Sequence, residues 1–570
     1  MSKVIQSEIE SRLRQAVAQH VDDAEQEKIL VRPCSDPKHG DFQSNALMAL
    51  AKKRGMNPRH LAEKVVDDLR LGDICQSVDI AGPGFLNFEI KSKVIEEALA
   101  AALKEKIPFV SPASEPQAII IDFSSPNVAK PMHVGHIRST ILGDSLARIL
   151  RMLGHKVITD NHIGDWGTQF GMLILGWKTK LNKAALDSDP ISELERIYKE
   201  INSDDSLREA ARYELVKLQQ GDEENLKIWR GMIELSQQQF DRVYGRLDVQ
   251  FNETLGESFY NPYLEEIVEE LCAKNIAGVS EGAIVVRFPD DDQLNDKPAI
   301  VRKSDGASNY TTTDLATLRY RVEKWSPNKI IYVTDGRQQL HFQQLFKIFR
   351  FWNNQFAGQL QHVWFGSILG PDGKPFKTRS GETVRLDELL DEAEQRAFKA
   401  VSEKNPELEE SEKRTISKII GIGALKYSDL SSNRQSDYVF DWDKMLSLQG
   451  NTAPYLQYAY TRVRSIFRKT TEPNWDKVVI NLDAAEELSL AKHLMSFGHT
   501  LEMVAEDNRP NYLCNYLYDL AGRFSRFYES CPVIKAGQAE RESRLVLCEL
   551  TGRVLQRGLD ALGIQVTEVM

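Results

Sequence analysis

Two histidines set two residues apart, His133 and His136 in the run His-Val-Gly-His, are the first residues here whose types and spacing suggest chemistry. At a helix start, residues three apart share a face, so both imidazoles can point the same way. Gly135 removes a side chain where a flat base could approach the backbone. The exposed N–H groups and dipole of a helix start favour an anion. Together these features suit a nucleoside triphosphate. The tetrapeptide alone is weak evidence, since isolated histidines are more often structural. A metal site is the weaker alternative, because no Cys or further His lies close by in sequence.

The flanking sequence supplies the scaffold. Residues 118–121 are an apolar run with three Ile, the pattern of a buried strand. Beyond the pair, Ile137, Ile141, Leu142, Leu146, Ile149 and Leu150 recur at helical spacing. The stretch between is a strand-to-helix loop, and in an open α/β sheet such loops lie at the carboxyl ends of strands, where ligands bind. Residues 155–160 predict a second strand, and the polar, Gly-rich stretch 161–171 follows with Trp166 as an anchor. Residues 178–280 are rich in Glu, Gln and Lys with helical periodicity and read as a helical insertion. The sheet is expected to resume at 283–288 and 299–302, then continue with strands at 329–333 and 362–366 separated by helices. This alternation predicts a multidomain α/β chain with a doubly wound parallel, Rossmann-like sheet. Residues 1–110 read as a small α+β domain, with a Pro- and Ser-bearing linker at 108–116. From Leu386 onward the pattern is helical.

Composition agrees. A chain of 570 residues is too long for one ordinary core. It is 42% hydrophobic and 27% charged, within the range of globular proteins. No apolar run approaches membrane-spanning length and the N-terminal sequence is no secretory signal, so a cytoplasmic location is expected. Six scattered Cys without metal-ligand spacing suggest reduced thiols. A net charge of −11 argues against a nonspecific nucleic-acid coat but leaves room for local basic faces.

The stretch Ser-Ser-Pro-Asn-Val-Ala-Lys-Pro-Met-His-Val-Gly-His-Ile-Arg-Ser-Thr closely resembles the signature of class I aminoacyl-tRNA synthetases in the arginyl form, and the likeness extends through 161–171. The resemblance implies two steps: arginine attacks the α-phosphate of ATP, releasing pyrophosphate, and the terminal 2′-hydroxyl of tRNA then takes the arginyl group. It places His133 and His136 on the triphosphate and its transition state, with Gly135, Asp165 and Gln169 near the nucleotide. In the second signature loop, Phe-Lys-Thr-Arg-Ser stands where the class pattern has Lys-Met-Ser-Lys-Ser. Lys374, Lys377, Arg379 and, upstream, Lys130 are candidates to share the phosphate charge with Mg²⁺. No dedicated protein metal site is expected. Three segments resemble the family's arginine contacts: Asp122, Ser124 and Asn127; Tyr310 and Asp314; and Gln338. Tyr310 would cover the substrate's stem, while Asp314 and Asp122 would take the ends of a planar cation. Citrulline would leave carboxylates underpaired, and Lys cannot bridge in two directions.

The N-terminal domain resembles one that contacts the tRNA elbow in this family, with Phe85 and Asn87 placed to stack on a D-loop base and read its edge. The C-terminal helices resemble the anticodon-binding domain; Tyr455, Tyr458, Arg462 and Arg464 interleave aromatic and basic groups there. The implied division is 1–110, 111–177, 178–280, 281–385, 386–450 and 451–570. The implied partners are tRNA(Arg), L-arginine and ATP, with no membrane and a monomeric chain. A glutamyl or cysteinyl enzyme disagrees with the acidic pocket and with the lack of clustered Cys and His. A noncatalytic RNA-binding paralogue disagrees with retention of both histidines and the pocket.

Overall fold

The computed structural model describes residues 2–21, 29–34, 37–376 and 384–570. It begins with helix α1 (Ser2–Ala18), strands β1 (Arg32–Pro33) and β2 (Phe42–Ser44), and helices α2 (Ala46–Lys53) and α3 (Pro58–Asp68). The hairpin β3 (Cys75–Ala81) and β4 (Phe85–Ile90) and helix α4 (Ser92–Ala102) complete this unit. Its antiparallel sheet has the order β1-β2-β4-β3. Alternation along β4 buries Leu86, Phe88 and Ile90 in the core and puts Phe85, Asn87 and Glu89 on the other face. The hairpin needs Gly84, at φ +127, because a Cβ there would meet the Pro58 carbonyl oxygen at 2.9 Å.

The α/β part follows: β5 (Ala118–Phe123), α5 (Val134–Met152), β6 (Lys156–Asn161) and α6 (Gln169–Lys180). The insertion is α7 (Lys183–Ser188), α8 (Pro190–Asn202), α9 (Arg208–Gln219) and α10 (Glu223–Leu247). Then come β7 (Glu253–Thr254), α11 (Leu264–Ala273), β8 (Ala277–Ser280), β9 (Ala283–Val286), β10 (Ala299–Arg302), α12 (Tyr310–Trp325), β11 (Lys329–Asp335), α13 (Gln339–Trp352) and β12 (Gln359–Phe365). The main sheet is parallel throughout, in the order β12-β11-β5-β6-β7. Both faces are covered, as a parallel sheet requires. Ile119, Ile121, Val333 and Val363 pack in the core shared with α5, whereas Ile120, Ile158, Ile330 and Tyr332 pack in the core with α12 and α13.

Two expectations are corrected. Strands β9 and β10 do not rejoin the main sheet; they form a separate antiparallel sheet, β10-β9-β8. Glu281 and Gly282, both at positive φ, close a two-residue turn that folds β9 straight back on β8. The strand that does rejoin the main sheet is β7, in a segment read as insertion.

The last part contains β13 (Ile368–Leu369), α14 (Leu386–Lys404), α15 (Glu410–Leu430), β14 (Tyr438–Val439), α16 (Trp442–Met445), α17 (Ala453–Phe467), α18 (Ala485–Met495), α19 (Phe497–Asp507), α20 (Asn511–Ser530) and α21 (Gln538–Ala561). It is not wholly helical, because β14 pairs in parallel with β13. Helix α5 joins the halves. Gly143 lets it settle on Phe123 of β5, where any Cβ would collide with the ring. Its buried Arg138 pairs with Asp429 of α15 at 3.1 Å. Farther along, Ser145 Oγ donates to the Ala561 carbonyl at 3.2 Å, and Arg148 pairs with Asp144, Asp248 and Asp560. The fully buried Lys426 donates to the carbonyls of Leu247 and Gly563, tying α15 to the end of α10 and to the C-terminal tail.

Candidate active site

His133 is the N-cap of α5. Its Nδ1 accepts the Gly135 N–H at 3.1 Å, and its own N–H donates to His136 Nδ1 at 3.0 Å. Each imidazole thus acts as the acceptor in a reciprocal capping box. With both Nδ1 atoms accepting, the proton of each neutral ring sits on Nε2. The ring centroids are 3.9 Å apart. Burial lowers the basicity of both rings: His136 falls to about 3, helped by its neighbour His133, while His133 also feels Arg337 and Lys130. The helix start therefore carries two adjacent neutral N–H donors, which suit a phosphate. A Cβ at Gly135 would meet His133 Cε1 at 2.9 Å, because the His133 ring folds over it.

The floor lies at the ends of β5 and β6, where Asp122 and Asp160 stand side by side in register. The fully buried Arg321 of α12 bonds Asp122 Oδ2 at 2.5 Å and Asp160 Oδ2 at 2.8 Å. Asp122 Oδ1 accepts the Ser125 hydroxyl at 3.0 Å. Both Asp122 oxygens are thus engaged inside the protein. Ser124 and Ser125 follow at φ +73 and +47, two left-handed residues in succession. Bonds on every side hold them: Ser124 N–H to Ser139 Oγ at 2.8 Å, Ser124 Oγ with Tyr244 Oη at 2.8 Å, and Ser125 N–H to Asn161 Oδ1 at 3.1 Å. Buried Ser124 thereby helps to shape the loop. Asn127 remains exposed beside Gly164, with which it forms a backbone bridge. Ser258 bonds both oxygens of Asp165, at 2.8 and 2.6 Å, so Asp165 tethers the loop after β6. Gln169 donates to the Trp166 carbonyl at 3.3 Å, and Trp166 stands edge-on to Trp229 of α10.

Tyr310 and Asp314 occupy the first turns of α12, which Asn309 caps. Tyr310 is 61% exposed. Asp314 Oδ2 lies 2.6 Å from His341 Nε2 of α13, and the Tyr310 ring stands edge-on to that imidazole. Sequence reading missed His341, although it follows Gln338 by three residues. It also missed Glu257, whose carboxyl is pushed up to about 7 by burial, with Asp314 and Asp165 acting in the same direction and His162 opposing. Gln338 is exposed at the end of a short 3-10 turn, beside Arg337, which pairs with Asp335 at 2.8 Å.

In the second signature loop, Gly370 donates its N–H to the Lys374 carbonyl at 2.7 Å, so exposed Lys374 lies on a tight turn. Phe376 stacks on Phe440. Lys377 and Arg379 lie outside the described residues. The chain then passes beside the histidines: Val134 donates to the Val384 carbonyl at 2.9 Å, and Arg385 bonds Ser192 and Glu195 of α8. Lys130 is exposed, its ammonium 5.4 Å from the Tyr198 ring centre. Among the described residues, no group of three or more His, Cys, Asp or Glu is placed to hold a metal ion.

Away from this centre, Phe85 is half-buried and Asn87 is buried between its cross-strand neighbours Gln43 and Asp79. Exposed Tyr458 and half-buried Tyr528 flank Arg462, whose guanidinium lies 6.0 and 5.7 Å from their rings. Tyr455 packs on Tyr518. Arg464 departs from the expected stripe, since it pairs with Glu549 at 3.4 Å and Glu568 at 3.8 Å.

Comparison with known proteins places these features in a family. Residues 98–442 match the family model "tRNA synthetases class I (R), catalytic domain", residues 456–570 the "DALR anticodon binding domain" and residues 3–90 the "Arginyl tRNA synthetase N terminal domain". An arginine–tRNA ligase of Laribacter hongkongensis is 46% identical over 552 residues, covering 95% of this chain and 96% of that protein. Another, from Histophilus somni, is 45% identical over 580 residues, covering 99% and 100%. The crystal structure of the Plasmodium falciparum arginyl-tRNA synthetase superposes with a TM-score of 0.84 at 29% identity, covering 99% of each chain. The Thermus thermophilus arginyl-tRNA synthetase also gives 0.84, at 26% identity, covering 99% and 100%. With three models matching along its length and relatives this similar over nearly all of it, the chain belongs to the arginyl-tRNA synthetases of class I.

Proposed function

We propose that this chain activates L-arginine with ATP and transfers it to the 2′-hydroxyl of the terminal adenosine of tRNA(Arg), releasing AMP and pyrophosphate. The observation that carries the reading is the capping box of His133 and His136, two neutral Nε2–H donors fixed at the start of the helix that follows β5. In-line attack at the α-phosphate depends on positioning and charge stabilisation, and two preorganised donors supply both. Lys130, Lys374, Lys377, Arg379 and Arg337 supply positive charge, and Mg²⁺ enters with the nucleotide as its counter-ion. Asp314 and Glu257 take the substrate guanidinium, a planar fork of donors that carboxylates satisfy best. Tyr310 covers its stem, and Asn127 and Gln338 bind its polar end. Phe85 with Asn87, and Tyr458 with Arg462 and Tyr528, meet unpaired bases of the tRNA. A monomeric, cytoplasmic enzyme completes the reading. The test is arginine-dependent ATP–pyrophosphate exchange with and without tRNA(Arg). Exchange is expected only with the tRNA; no exchange and no charging under either condition would instead support a noncatalytic RNA-binding role.

A further inference from the structure

We infer that His341 is a positioning residue that sets arginine affinity by holding the Asp314 carboxylate in one orientation; the inference rests on the arginine-binding role proposed for Asp314. Four observations converge on it. His341 Nε2 stands 2.6 Å from Asp314 Oδ2, the distance of a charge-assisted hydrogen bond. Only Oδ2 is engaged, so among the described residues Oδ1 accepts no hydrogen bond. The imidazole is itself fixed: the Tyr310 ring stands edge-on at 4.8 Å and the Phe342 ring at 5.1 Å. Finally, the histidine side chain is only 14% exposed, so the pair is largely shielded from water.

A carboxylate on a helix can rotate about its terminal bond. A planar guanidinium gains most from a carboxylate already lying in the right plane, because binding then freezes less motion. With Oδ2 fastened by His341, Asp314 offers Oδ1 to the ligand in a set plane. The imidazole makes no contact with arginine in this scheme. It acts through the carboxylate, and the Tyr310 ring, edge-on to the imidazole, ties the wall proposed over the substrate stem to the same anchor.

The experiment measures KM for arginine, KM for ATP and kcat by pyrophosphate exchange at saturating tRNA(Arg), using the full chain. Four variants are compared: His341→Phe, which keeps a ring without a donor; His341→Gln, which retains an N–H near the Nε2 position; Asp314→Asn; and the double variant Asp314→Asn/His341→Phe. His341→Phe is expected to raise arginine KM about tenfold, the order expected from one lost hydrogen bond to a charged group, with ATP KM unmoved. His341→Gln is expected to restore most of that loss. In the double variant the two losses are expected to be markedly less than additive, since both act through one carboxylate. His341→Ala, also donor-less, replaces the Phe variant if the latter fails to fold. An unchanged arginine KM in the donor-less variant, beside a raised KM in Asp314→Asn, overturns the positioning role alone. An unchanged arginine KM in Asp314→Asn overturns the pocket assignment, and this inference with it. A donor-less variant that raises arginine and ATP KM equally, without rescue by Gln, shows general disruption and also overturns it.

Discussion

Gly135→Ala separates folding from catalysis at the helix start. In the first turn of an exposed helix, Ala for Gly stabilises by about 0.5–1 kcal/mol. Here the new Cβ would lie 2.9 Å from His133 Cε1 and 3.0 Å from Nδ1, so the ring must swing away. That breaks the cap between His133 and the Gly135 N–H, a loss of about 1 kcal/mol. The two changes offset each other, and stability is expected to stay within about 1 kcal/mol of wild type. Catalysis has no such offset. The displaced ring carries one of the two phosphate donors, and losing one such donor typically lowers turnover about 10²–10³-fold. The assay pairs thermal melting with pyrophosphate exchange at saturating substrates. His133→Asn serves as a control, because Asn keeps the capping acceptor but has no group at the Nε2 position; it is expected to melt like wild type and exchange as slowly as Gly135→Ala. Wild-type exchange by Gly135→Ala would refute the reasoning, since the ring's position would then be irrelevant to the chemistry.

Arg321→Met should destabilise the chain by about 3–5 kcal/mol in urea, because it strands two buried carboxylates; adding Asp160→Asn should recover part of this. Asp314→Asn should raise arginine KM about 30–100-fold, the equivalent of a lost charge-assisted hydrogen bond, and narrow the preference over citrulline while leaving ATP KM in place. His136 is less basic folded than its ordinary value of 6.5, at about 3, so the unfolded chain binds more protons between those values. Its contribution is therefore complete above pH about 6.5 and lost as pH falls toward about 3, and a pH series of melting curves should show a shallower acid decline for His136→Asn.

The strand, loop and helix around His133 were legible because they are local: an apolar run, a polar signature and a helical period follow one another. The partners that decide what each side chain does are distant in the chain. Asp122 meets Arg321 across 199 residues, and Ser124 meets Tyr244 across 120, so no window of sequence reveals that both are already engaged. The same limit misplaced β9 and β10, since a four-residue apolar run looks alike in either sheet and only the Glu281–Gly282 turn decides. Tyr310 and Asp314 stand out only through the resemblance to the family's arginine contacts, whereas His341, which meets Asp314, starts a different helix.

Helix α5 begins at His133 and His136 and packs farther along against α21. The family models divide these regions between two domains, yet the helix treats them as one foundation. Its second half rests on α19 and α21, while Lys426 fastens the end of α10 to Gly563. Domain exchange between relatives is therefore constrained: grafting a foreign anticodon module onto this catalytic half replaces the bedplate of its own signature helix. A functional chimera would need to carry the α5 residues Ser145 and Arg148 together with α21 and the tail through Gly563, as a single inherited block whose contacting parts lie 412 to 416 residues apart in sequence.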